Sequence, residues 1–540
     1  MKKKATPLNW LFIKKDRNSI FTAYTYGLDS LRYIDGGSFS THQINTKGKR
    51  DHSYRCSVRT HDATTVLSLI SPRVWAILFL SEINCVVPHF EERRDSVRIQ
   101  LSDHFTYSKL IRFVIPSIVT MIFTSIYGVV DGLFVSNLVG KTPFAAVNLI
   151  WPYIMAFSVI GFMLGAGGSA LVSRSLGEGH KARANQEFSL LVYVAIALGL
   201  LVTVIGIVLM RPVAMALGAE GELVDLCVHY GNIVMSAQTA FMLQTMFQIF
   251  FVTAEKPQLS LAFTVAAGLT NMVLDYVLIV PLDMGLTGAA LATALSQAVG
   301  GLCPLVYFFC PNSSLLRLGK ATWNPKALLK SCANGSSELM TNLSTSVVNA
   351  LYNLQLIRLA GQDGVAAYGV IMYANFIFIG VFVGYAFGVA PVVGYHFGAG
   401  NTDELKNLFR KSLRLMFGMG LGMLVLGEVL AGPLSSIFVG YDADLLALTT
   451  RGFKLYAISF LLMGFNIFSS SFFTALSNGP VSAAISFLRT LVFQIAAIFT
   501  LPLIFPGADG VWLAVVAAEA LALLVTVLFF VKLKDRYQYA

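Results

Sequence analysis

Residues 271–280 read NMVLDYVLIV, and Asp275 lies inside the longer apolar run 262–282 with no basic residue beside it. An acid at the centre of a bilayer costs about 2.5–3.5 kcal/mol, and acids kept there usually line ion or substrate paths. Asn271 stands four residues before Asp275, so the two share one helix face. Thr293 falls one apolar run later, at matching depth on the returning helix, and Asp131 sits near the outer half of the first run in VVDGLFVSNL. Two carboxylates, an amide and a hydroxyl offer oxygen ligands suited to a small hard cation such as Na+. They equally suit one shared proton, because neighbouring carboxylates in a poorly solvated cavity resist ionising together. The residues predict cation coupling and leave H+ and Na+ both open.

Few other charged residues fall inside apolar runs. Glu338, in NGSSELMTN on the inner half of the seventh run, is a candidate acid for a second proton or cation site or for a cationic substrate; the bland alternative is that it faces water. Glu428 lies near the end of a run, where snorkelling is easy. Glu519 and Arg489 belong to neighbouring runs and are read as a structural pair. Phe241, Met242 and Met246 cluster with Phe247 and Phe250 on the fourth run. Such a soft aromatic surface suits lipophilic cations, although apolar filler explains it as well. No Ser/His/Asp set, HExxH, Walker loop or GxGxxG before a helix occurs, and GAGGS at 165–169 lies inside a run, where it permits close helix packing. His229, His396 and the six cysteines make no ligand spacing. Enzymatic chemistry and a bound cofactor are therefore not expected; the only small partner required is the coupling ion.

The elements that must position these residues are membrane helices. The 540-residue chain is 56% hydrophobic and only 13% charged, against about 25% charge in ordinary soluble domains. Runs long enough to span a bilayer fall near 112–138, 144–173, 187–210, 227–253, 258–281 and 287–309, then near 332–360, 364–395, 408–432, 452–476, 480–505 and 509–531. This predicts an all-α polytopic protein of twelve transmembrane helices. Residues 1–100 are different: they hold 16 Lys and Arg against 9 Asp and Glu, seven of the ten excess positive charges. They are expected to be a disordered basic extension or a stretch upstream of a mis-called start, and their semi-apolar part, 64–90, is too broken to span. The basic balance is thus no sign of nucleic-acid binding.

The two sets of six runs repeat. Gly177 and Gly179 fall opposite Gly398 and Gly400 at an offset of 221, as do Gly167 and Gly388, and Pro212 and Pro433. The expected division is an N-lobe at 101–310, a cytoplasmic inter-lobe loop at 311–330 and a C-lobe at 331–535, related by an axis near the membrane normal. Seventeen Lys and Arg lie in the loops and flanks on the side of the N-terminal flank, and five on the other. The positive-inside rule then puts both termini in the cytoplasm.

Residues from about 105 to 535 resemble the MATE (multidrug and toxic compound extrusion) family, particularly its bacterial branch. The resemblance rests on IPSIVTMIFTSIYGVVDGLFVSNLVG at 115–140, the SLGEG and HFGAG loops, NMVLDYVLIVPLDMGLTGAALAT at 271–293 and GADGVWLA at 507–514. It implies a two-lobe antiporter of the cytoplasmic membrane, a monomer, that expels lipophilic, often cationic compounds in exchange for H+ or Na+. It also implies that Asp131, Asn271, Asp275 and Thr293 form the amino-lobe cation site. Some members carry an acid before a Gly-Val-x-Pro stretch on the eighth helix; here Phe387 precedes Gly388-Val389-Ala390-Pro391, and Glu338 is the remaining candidate. A lipid-linked saccharide flippase would need several basic residues in its cavity, and only Arg489 lies within a run. A membrane-embedded enzyme or receptor fits neither the missing catalytic residues nor the duplication.

Overall fold

An apolar run in lipid has no water to satisfy its peptide groups, so it must close its hydrogen bonds within itself as a helix. The computed structural model describes residues 99–540 and, before them, five short strands. Those strands pair antiparallel in two sheets: β1 (Asn9–Ile13) with β2 (Thr22–Tyr26), and β3 (Ser30–Asp35) with β4 (Ser38–Gln43), which also pairs with β5 (Arg55–Cys56). They lie in a separate unit, Met1–Ser96. β-Branched and aromatic residues in NWLFI and TAYTY favour the extended form. The broken stretch 64–90 lies outside the described residues.

Within Val97–Ala540 every described element is helical. The N-lobe comprises α1 (Tyr107–Phe134), α2 (Lys141–Gly177), α3 (Lys181–Ala216), α4 (Glu222–Ser236), α5 (Gln238–Thr253), α6 (Pro257–Ile279) and α7 (Gly285–Phe309). The C-lobe comprises α8 (Pro325–Gly398), α9 (Thr402–Val439), α10 (Ala443–Ala457), α11 (Phe460–Ala475), α12 (Gly479–Phe487), α13 (Phe493–Ile504) and α14 (Ala508–Tyr537). α4 and α5 form one span bent by 53°, and α10 and α11 one bent by 48°. The two bends begin at Ala237 and Ile458, the offset of the sequence repeat. α12 and α13 join through a π-turn, Leu488–Val492. α8 has 74 residues, about 110 Å at the helical rise, and breaks at Gly361 (φ 64°, ψ −152°), so it makes two spans. Among the described residues twelve spans result, six in each lobe, where the sequence placed them.

The duplication reaches individual hydrogen bonds. In the N-lobe, Gln248 Nε2 donates to Thr264 Oγ1 (3.2 Å) and Ser260 Oγ to the Gln248 carbonyl (3.0 Å). In the C-lobe, Ser470 meets Ser482 and Ser486, each at 2.9 Å, 222 positions further on.

The lobes meet backbone to backbone on the side of the basic loops. A side chain on Gly167 would run into the backbone of Ser331 and Gly335, and one on Gly335 into the carbonyl of Met163. Gly177 lies against Tyr395–Ala399 while Gly398 lies against Arg174, a reciprocal pair that follows the pseudo-two-fold axis. Gly384 and Gly388 admit α1 at Ser117–Ile118 and Val114. The Arg174 guanidinium also stacks over Phe397 at 5.2 Å. The GAGGS glycines are thus packing residues, and the protein is closed toward its basic face. Gly179 and Gly400, at φ 81° and 66°, terminate the two sealing helices in the left-handed region that glycine tolerates.

Candidate functional site

α1, α6 and α7 pack side by side and carry the four residues singled out in the N-lobe. Gly268, one turn before Asn271, leaves room for the rings of Phe123 and Tyr127 and so brings α1 close to α6. Gly288 does the same for α7 against Leu278. These approaches bring Asp131, Asn271, Asp275 and Thr293 together. Asn271 Nδ2 donates to Asp131 Oδ1 at 3.4 Å. The Asp275 carboxyl and the Thr293 hydroxyl lie near the Asp131 carboxyl. Asp275 is 0% exposed, Asn271 and Thr293 are buried, and Asp131 is half-buried.

The site is rich in oxygens that lack partners. Both carboxylate oxygens of Asp275, Asn271 Oδ1 and Thr293 Oγ1 are buried and make no well-formed hydrogen bond with the rest of the described protein. Buried acceptors without donors are costly. Adding a proton or a small cation removes that cost, and the donor set (two carboxylates, an amide oxygen and a hydroxyl) fits Na+ chemically. No cluster of three His, Cys, Asp or Glu side chains fit for a transition metal occurs among the described residues.

Three residues that sequence reasoning missed complete this surface. Tyr127, one turn before Asp131, lies near Gln244 of α5 and near Asp131. Tyr230 on α4 turns its hydroxyl toward Thr293 and both acids. Aromatic residues and single amides in apolar runs are common, so nothing in their spacing marked them. The α1 segment beside Asp131 is also loosely held. Gly128 and Gly132 have open space where a side chain would be, and a π-turn, Val135–Val139, follows at once.

The second lobe holds a neutral counterpart. Tyr352 stands 221 positions after Asp131, and its hydroxyl donates to Gln494 Oε1 at 2.8 Å, where the N-lobe has Asn271 bonded to Asp131. Its charges lie elsewhere. Arg489, on the π-turn, pairs with Glu519 at 3.3 Å, and Asn466 Nδ2 reaches the same carboxylate at 2.7 Å while accepting from Thr526 at 3.0 Å. Arg489 and Glu519 therefore form the structural pair expected. Glu338 lies half-buried, within electrostatic reach of Arg489. Glu428 is half-buried near the far end of α9.

Met242 and Met246 do not line a cavity. They are 0% exposed, and Gly161 and Gly165 of α2 press on their backbone. Their spacing is that of a helix buried on every side, which periodicity could not distinguish from a ligand surface. Phe241 is buried at 9% exposure. Cys227, Cys303, Cys310 and Cys332 are free thiols, and His229 only meets Thr287 (2.8 Å).

The Arg489–Glu519 pair has a measurable weight. Breaking a buried pair leaves one charge uncompensated and costs about 3–5 kcal/mol, whereas replacing both partners by apolar groups is often neutral. Arg489→Met is expected to lower the melting temperature of the purified protein in detergent sharply, and Arg489→Met with Glu519→Leu to recover most of it. A double variant no more stable than the single one would disprove the pairing.

Comparison with known proteins agrees with the two-lobe helical fold. The MatE family profile matches twice, over residues 116–277 and 339–500, one match in each lobe. The multidrug export protein MepA of Staphylococcus aureus (strain MSSA476) is 24% identical over 440 residues, covering 80% of this chain and 94% of that protein. MepA of Staphylococcus saprophyticus is 23% identical over 436 residues, with the same coverage. Among solved structures, an outward-facing multidrug resistance MATE transporter superposes with a TM-score of 0.77 at 22% identity, over 83% of this chain and 100% of that one. A MATE in the straight conformation gives 0.77 at 22% identity, again over 83% and 100%. The two profile matches together cover more than half of the sequence, in the order of the two lobes, and the chain belongs to the MATE family of membrane transporters.

Proposed function

We propose that this protein exports small organic compounds, lipophilic cations among them, in exchange for H+ or Na+ entering through the N-lobe. The observation that carries the proposal is the Asp131–Asp275 pair. Asp275 is fully buried and Asp131 half-buried, neither has a basic partner among the described residues, and with Asn271 and Thr293 the site leaves four buried oxygens unsatisfied. A coupling ion drives a cycle only by binding one conformation better than another. The loose α1 segment around Gly128, Gly132 and the π-turn can supply that difference by changing shape when the acids are neutralised. The basic face is cytoplasmic, with both termini on that side of the plasma membrane, so the conformation closed toward that face opens outward. The lobes then rock by alternating access, and a single chain suffices because each lobe is the other's partner. Glu338 is the acid of the second lobe available to a cationic substrate. The names of the MepA relatives support drugs as substrates.

Purified protein in liposomes tests this directly. An imposed inward H+ or Na+ gradient should drive release of a preloaded cationic dye, and collapse of the effective gradient should stop it. Dye movement indifferent to both gradients would disprove antiport.

A further inference from the structure

Two short segments cross between the lobes on the basic face, and they are related by the repeat. The first, Leu101–Phe105, precedes α1 of the N-lobe but docks on α9 of the C-lobe. Phe105 N–H donates to Glu404 Oε1 (2.9 Å), His104 Nδ1 meets Glu404 Oε2 (2.5 Å), and the Phe105 carbonyl accepts from Asn407 Nδ2 (3.0 Å) and Lys411 Nζ (2.6 Å). Its other end is held by the N-lobe: Leu101 N–H donates to Glu255 Oε1 at 2.7 Å, between α5 and α6. Leu101 and Phe105 are both 0% exposed. The second segment leads into α8 of the C-lobe but docks on α3 of the N-lobe. Arg317 N–H donates to Asn185 Oδ1 (2.7 Å), Gly319 N–H to Ser189 Oγ (3.0 Å), and Tyr193 to the Gly319 carbonyl (3.0 Å). Asn185 and Ser189 stand 222 positions before Asn407 and Lys411.

Glu404 is freed for this contact by its own helix. Asn401 and Glu404 have capping-box spacing, in which the acid would normally reach back to the Asn401 N–H. Here Asn401 N–H already donates to the His396 carbonyl (3.0 Å), and Asn401 Oδ1 accepts from Glu404 N–H (3.1 Å). The carboxylate is left to bind the crossing segment.

We propose that Leu101–Phe105 is a strap that holds the lobes shut on the cytoplasmic side, clipped to the N-lobe at Glu255 and to the C-lobe at Glu404 and Asn407. The inference rests on the alternating-access reading above. Rocking open on that side carries Glu255 and Glu404 apart, and five residues cannot keep both clips, so opening requires release of one. The connector between α7 and α8 joins the lobes covalently in any state. The strap is not so constrained, and its release is a separate step of the cycle.

The test reads lobe separation, not transport. Spin labels at Ala182→Cys and Arg410→Cys, exposed positions on the two lobes, report the distance across the basic face in an otherwise cysteine-free full-length chain. Losing a charge-assisted hydrogen bond should shift the ratio of long to short distances about tenfold toward long in Glu404→Gln. Glu255→Gln and Asn407→Ala should move it the same way by less. Asp403→Asn, an exposed acid one residue from Glu404, should leave it unchanged. Three strap variants that keep the wild-type distribution, or an Asp403→Asn shift equal to that of Glu404→Gln, would overturn the strap. A wild-type chain with one distance under all ion conditions would instead overturn alternating access.

Discussion

Asp275→Asn abolishes export while leaving the fold intact, and this is the largest functional effect expected of any single substitution. Asparagine keeps the size and polarity of the side chain but cannot hold a proton or neutralise a cation. The charge it removes is one the protein buries at 0% exposure with no basic partner. Such a charge is destabilising by several kcal/mol before an ion arrives, so its loss should leave the melting temperature equal or higher. Function and stability are expected to move in opposite directions. In a drug-sensitive host, resistance should fall to the empty-vector level, and gradient-driven dye release from liposomes should fall at least about a hundredfold, as when a group essential to the cycle is lost. Undiminished resistance at normal expression would remove Asp275 from the coupling site.

Gly335→Val gives the second large effect, through geometry alone. The Gly335 position faces the Met163 carbonyl of the opposite lobe, and the contacting atoms are backbone on both sides. A flexible side chain could turn aside, but a helix backbone inside a packed bundle cannot. The lobes must separate on the basic face to admit an isopropyl group, so the conformation closed on that face should become rare. Crosslinking between cysteines at Arg174 and Phe397, which stack across the seam, would be lost, and transport would stop although Asp131 and Asp275 are untouched. Gly418→Val is the control, since nothing lies within 4 Å of a side chain there. Retained crosslinking in Gly335→Val would show that the lobes do not seal at this point.

The sequence spelled out much of this because lipid enforces simple rules. A span needs about 20 apolar residues, so all twelve spans were visible as runs, and a polar residue within one is conspicuous. Asp131, Asn271, Asp275 and Thr293 were legible for that reason. What stayed hidden needed distance or direction. Tyr127 and Tyr230 have no distinctive spacing, and the place of Tyr127 beside the acids depends on Gly268 bringing α1 against α6. The bends at Ala237 and Ile458 fall inside unbroken apolar runs without proline. Met242 and Met246 had the composition of a ligand surface, but a helix surrounded by its own lobe has the same composition. The neutral Tyr352–Gln494 counterpart was half visible, as a missing acid in LVFQIAAIFT at 491–500; the hydrogen bond that replaced it was not.

The crossed strap also bears on how the molecule is made. Phe105 and Glu404 lie 299 residues apart in sequence, whereas Arg317 and Asn185 are separated by 132. At about 5–20 residues per second of synthesis, Leu101–Phe105 waits roughly 15–60 s for its receptor helix to emerge. The connector finds α3 as soon as the first lobe is complete. Insertion into the bilayer therefore proceeds with the first lobe finished and its leading segment still unattached. The ribosome delivers α9 before that segment can dock, and the closed seam on the basic face is among the last features of the nascent chain to form.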